Sequence, residues 1–153
     1  MKKFVKILFM VLLGVIFLPI GIWLNNQITA NPYELPPYFM VNLICLVLWL
    51  NVSFFMRSKT IDTKTVVISM NVMPIIALIV NIYRYFVLQS YEGTLGMYAQ
   101  LYFQPIMWLK LNLFSFKRTL ISMYLNSVIA LVACSFIGCK AKETIVQLKE
   151  DWS

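Results

Sequence analysis

Four apolar runs constrain this chain of 153 residues more than any other feature. They cover residues 4–24, 37–56, 65–89 and 119–139. A hydrocarbon core about 30 Å thick takes about 20 apolar residues of helix to cross, because no water there can satisfy a free backbone group. Each run meets that length. Only 12% of the residues are charged and 61% are hydrophobic, against about 25% charged in an ordinary soluble domain. A soluble chain of this size lacks the interior volume to hide so much apolar surface. The expectation is an all-α membrane protein, a single integral membrane domain over 1–153 in contact with lipid.

The net charge of +7 could suggest a nucleic-acid partner, but the placement of the charges points elsewhere. Lys2, Lys3 and Lys6 precede the first run, Arg57, Lys59 and Lys64 border the turn RSKTIDTK, and Lys140, Lys142 and Lys149 follow the last run. No basic face with interleaved aromatics lies outside the apolar runs, so no nucleic-acid partner is expected. With four spans and both termini inside, these nine basic residues are cytoplasmic, and Arg84, Lys110, Lys117 and Arg118 are outside. That bias follows the positive-inside rule. It predicts a multi-pass N-in/C-in protein of the bacterial cytoplasmic (inner) membrane. Cleavage after Ile28-Thr29-Ala30 would make the first run a signal peptide. Its apolar stretch exceeds the usual 7–15 residues, however, so a retained first helix is expected.

NNQITANPYELPP, with three prolines and no basic residue, reads as an irregular outer loop. The segment 90–118, between the third and fourth spans, is apolar and aromatic but interrupted by Gln100, Gln104, Pro105 and Lys110. Residues 109–113 alternate with the period of a surface strand. A short interfacial helix, a re-entrant segment and a fifth crossing over 95–112 are the alternatives. Residues 140–153 read as a charged cytoplasmic tail with Ile145, Leu148 and Trp152 on one stripe.

Polar residues inside spans carry most of the functional information. In the third span Pro74, Ala77, Asn81 and Arg84 recur at spacings of three and four, one helical face, with Asn71 slightly to the side. This is either a polar seam lining a pathway or packing glue between helices. A 20-residue crossing from Val66 ends near Tyr85, which places Arg84 at the outer interface among Tyr83, Tyr85 and Tyr91. A snorkelling anchor is expected there, with Glu34 and Glu92 as outer partners. In the fourth span Ser122, Asn126, Ala130, Cys134 and Gly138 form an i+4 run of small residues that lets two backbones approach closely. The second span carries Asn42, Cys45, Trp49 and Ser53 on one face and Asn51 opposite, which suggests contacts on two sides.

Catalytic machinery is scarce. There is no histidine, and none of the six carboxylates lies within a run. No metal cluster, cofactor or enzyme activity is expected, since dyads, proton relays and glycine-rich phosphate loops all lack their residues. Cys134 and Cys139, five apart, point in different directions on a helix, so the cysteines are packing residues. What remains is a protein that acts by contact.

The layout resembles the immunity proteins of the pore-forming colicins, in particular the four-helix colicin A type. The resemblance is carried by the basic turn RSKTIDTK, the third span ending in arginine and tyrosine, the outer segment SYEGTLGMYAQLYFQP and the basic tail. It covers most of the chain, rests on topology and composition, and transfers no functional residue. It implies binding to the membrane-inserted helices of a toxin, which keeps its pore from opening. The alternatives are an accessory subunit docking through the fourth-span stripe, and an oligomeric channel or small transporter lined by Asn81 and Arg84.

Overall fold

Pro19 has no N–H for the carbonyl of Val15, so the first apolar run cannot be one uniform helix. In the computed structural model it forms α1 (Lys2–Leu13) and α2 (Phe17–Ala30), joined by a 3-10 turn at Gly14–Ile16. The structure describes residues 2–31, 37–88, 94–107 and 120–151. α3 (Tyr38–Met56) matches the second run, and α4 (Thr63–Tyr83) passes through Pro74 before a π-helical turn at Arg84–Leu88. α5 (Thr94–Phe103) is a short helix, and α6 (Leu120–Asp151) is the longest. Among the described residues there is no strand, only an isolated bridge between Ser58 and Ile61. Among the described residues four helical stretches, Lys3–Ala30, Tyr38–Met56, Thr63–Leu88 and Leu120–Glu150, are long and apolar enough to cross a membrane.

The last run extends further than its hydropathy suggested. At 1.5 Å per residue, the 32 residues of α6 span roughly 48 Å, well past a hydrocarbon core about 30 Å thick. Residues 140–151 are therefore a continuation of the helix rather than a separate tail. Helical hydrogen bonding needs no apolar sequence, and helix-forming Lys, Glu, Ala and Gln carry it on. Ile145 and Leu148 are exposed on this extension, and Trp152 lies outside the described residues.

Glu143 ties the extension to the α3–α4 turn. Its Oε1 accepts hydrogen bonds from Arg57 Nε at 2.9 Å and Thr63 Oγ1 at 2.6 Å, and its Oε2 from Lys140 Nζ at 2.7 Å. Arg57 also donates to the carbonyls of Ser58 and Ile61, which closes the turn. Lys140, Thr63 and Arg57 together hold the Glu143 carboxyl down at about 2. A depressed carboxylate stabilises the fold fully above its unfolded pKa, about 4.3, and that contribution disappears as pH falls towards 2. Glu143→Gln should therefore lower the melting temperature in detergent at pH 6. The gap to the parent should close between pH of about 4.5 and 2. A gap that persists at the acid end would show that the clamp acts through something other than its charge.

α3 and α6 run in parallel, since Ser53 meets Gly138 and Arg57 meets Glu143. α4 runs antiparallel to α6, with Asn71 opposite Ser135 and Thr63 opposite Glu143. The inward face of α3 carries Asn42, Cys45, Trp49 and Ser53, all buried, as the spacing predicts. The two-sided contact inferred from Asn51 is not found. Asn51 is exposed and donates to the carbonyl of Val47 on its own helix, so its amide needs no second neighbour. All three cysteines are free.

Candidate functional site

The polar seam of α4 is the seat of α5. Asn81 Nδ2 donates to the carbonyl of Ala99 on α5 at 3.0 Å and to Ala77 on its own helix at 3.0 Å. Arg84 lies one turn on, against Gly96, where a Cβ would overlap its Nε and stand 2.6 Å from its Cζ. Asn81 of α4 and Arg84 of the π-helical turn thus meet Ala99 and Gly96 of α5, so the two stretches are antiparallel. Pro74 and Ala77 complete a buried face. At Asn81 and Arg84 this face is occupied by the chain's own helix α5.

α5 descends from that end to the middle of the bundle. The Tyr102 hydroxyl donates to the carbonyl of Gly14 at 2.7 Å, at the 3-10 turn created by Pro19. Gly14 in turn lies beside Met73, midway along α4. Gly21 faces the backbone of Leu101 so closely that a Cβ there would overlap the Leu101 carbonyl. Beyond α5 the chain turns at residues 104–107, and the Ile106 carbonyl accepts from Ser127 Oγ at 3.3 Å. Residues 94–107 of this segment form a short helix and turn packed against α4, the Gly14–Ile16 turn and α6. The alternating residues 109–113 lie outside the described residues.

Aromatic rings fix α5 laterally. Trp49 contacts Phe17 at 5.0 Å between centroids, Phe17 meets Tyr102 edge-on at 5.8 Å, and Phe103 stacks on Tyr124 at 5.0 Å. With Tyr102 and Phe103 adjacent, this chain of rings joins α3, α2, α5 and α6. Phe17, Tyr102, Phe103 and Tyr124 do not stand out in the sequence. An aromatic in an apolar helix has no periodic signature that separates a central ring from one facing outward. The glycines were the readable signal, since a residue without a side chain inside an apolar helix often marks a close backbone approach.

Arg84 departs from the expected surface anchor. It is 9% exposed, while neighbouring Tyr83 and Tyr85 are 52% and 37% exposed. The missing side chain of Gly96 gives the guanidinium a cradle under α5, which a reading of α4 alone could not reveal. Its Nε is buried without a hydrogen-bond partner among the described residues. Its expected partners Glu34 and Glu92 lie outside the described residues, and no described carboxylate is ion-paired to it.

Asn71 belongs to a different contact. Its Nδ2 donates to Ser135 Oγ at 3.0 Å, which joins α4 to α6 about 15 Å along the helix from Asn81. The small-residue stripe of α6 is turned towards this chain in part. Ala130 and Gly138 are buried, and a Cβ on Gly138 would overlap the Leu50 carbonyl and approach Ser53 Cβ to 3.1 Å. Ser122, Asn126 and Cys134 are half-buried. The close approach predicted by the spacing is therefore made to α3. The most deeply buried residues described on α6 are Tyr124, Ser127, Leu131, Ser135 and Cys139, a neighbouring face that the small-residue stripe did not select.

No family model, curated protein or solved structure matches this chain.

Proposed function

We propose that this chain is a small polytopic protein of the bacterial inner membrane that acts by protein–protein contact, as immunity to a pore-forming bacteriocin. The observation that carries the contact reading is the filled seam: Asn81 and Arg84 are committed to seating a half-helix. A channel or transporter lined by those residues would need the seam open. The accessory-subunit alternative loses support where Ala130 is buried and Gly138 is already covered by α3. The specific form, immunity, rests on the resemblance in layout to the four-helix colicin immunity proteins. In that mechanism the re-entrant half-helix shapes the outer half of the protein, where it meets helices of an inserted toxin, and no catalytic group is required.

The test is survival of sensitive cells that express the chain and are challenged with pore-forming bacteriocins of the colicin A type. Protection by several orders of magnitude is expected, with no protection against a nuclease bacteriocin. Sensitivity equal to the empty vector across the pore-forming set would remove the immunity reading. A stable heteromeric partner recovered in the absence of toxin would favour the subunit instead.

A further inference from the structure

Two positive sources meet where α5 begins. One is Arg84, a residue 9% exposed whose Nε is buried with no hydrogen-bond partner among the described residues. The other is the first turn of α5, a ten-residue helix with no acidic residue in that turn. Its leading N–H groups have no acceptors within the helix, and its dipole is positive at this end. Gly96, the third residue of α5, stands directly against the arginine side chain, which brings the two sources side by side. A cation buried without compensation is strongly unfavourable, and a guanidinium stays charged wherever it is placed. An anion between them relieves both.

We propose that Arg84 and the first turn of α5 bind the phosphate of a membrane phospholipid. The planar fork of arginine fits a tetrahedral oxyanion with two parallel hydrogen bonds, and a helix N-terminus supplies further N–H donors to the same kind of group. The surroundings select a lipid over a free ion. Phe86, Val87 and Ile82 are exposed beside Arg84, and the outward face of α4 continues through Ile79 and Ile75. A phosphodiester held at Arg84 would therefore lay its acyl chains along an apolar surface that free phosphate cannot use. Tyr83 and Tyr85, both exposed, belong at the headgroup level of such a surface.

The test uses the intact protein in nanodiscs and in detergent. Native mass spectrometry should find one retained phosphatidylglycerol on the parent protein. Retention should fall at least tenfold in Arg84→Gln and in Gly96→Ala, whose methyl displaces the guanidinium. Arg84→Lys, which keeps the charge but loses the fork, should lie between them and guards against a folding defect in the glutamine variant. Inorganic phosphate at millimolar concentration should not displace the lipid; displacement would make the ligand a free anion. Equal lipid retention by the parent protein and Arg84→Gln would overturn the proposal. So would lipid that is absent from the parent and gained only by Glu92→Gln, which would identify the chain's own acid as the counter-ion.

Discussion

Replacing Gly21 by leucine should expel α5 from the bundle. The site of the new side chain is occupied by the carbonyl of Leu101, a backbone atom that no rotamer change can move aside. Overpacking typically costs about 1–3 kcal/mol when side chains can yield. Here the half-helix itself must yield, and its hydrogen bonds from Asn81 and Tyr102 go with it. Such bonds are each worth about 0.6–2 kcal/mol between membrane helices, so the total loss is on the order of 3–4 kcal/mol. Hydrogen exchange at residues 94–107 should rise sharply while α3 and the inner half of α6 stay protected. Trp23→Leu on the same helix, where the parent side chain is half exposed, is the control and should leave exchange unchanged. Protection of 94–107 that survives Gly21→Leu would mean that α5 is not seated as described. If the contact function depends on the half-helix, Gly21→Leu should also abolish protection against the toxin without abolishing membrane expression.

Phe103→Ala should be the most destabilising truncation in the half-helix. Phe103 has no exposed surface and stacks on Tyr124 with an interplanar angle of 26°. Burial of such a ring in a soluble core is worth about 3–5 kcal/mol. In a lipid-solvated bundle the unfolded reference already hides the ring from water, so packing rather than hydration is lost. The expected cost is about 3 kcal/mol, the low end of that range. Reversible unfolding in mixed detergent micelles measures it, against Phe86→Ala, where the ring is 65% exposed and an effect within about 0.5 kcal/mol is expected. Comparable losses at the two positions would place the chain of rings outside the load that holds α5.

Helix faces were legible wherever a polar or small residue recurred along one span. The face Asn42, Cys45, Trp49 and Ser53 is buried, and so are Pro74, Ala77 and Asn81. The i+4 stripe on α6 pointed to a close approach, and Gly138 makes one. Asn51 misled because a single amide on an outward face can bond to its own backbone, which removes the need for a partner helix. The position of Arg84 misled for a different reason. Counting residues from Val66 measures depth along α4, but burial there depends on a helix that comes from elsewhere in the chain.

From its sequence alone this chain could be read as four long apolar helices with basic borders. Length and hydropathy along one segment are one-dimensional quantities, and the thickness of a bilayer converts them directly into spans. The tertiary structure decided where the segment after the third span goes. It folds back as α5 because Gly21 and Gly96 leave room for a backbone and a guanidinium, and because the carbonyl of Gly14, in the 3-10 turn ahead of Pro19, receives Tyr102. Each of those causes is a missing group, a side chain on glycine or an N–H on proline. A missing group acquires meaning only from the atoms that another element brings into the space.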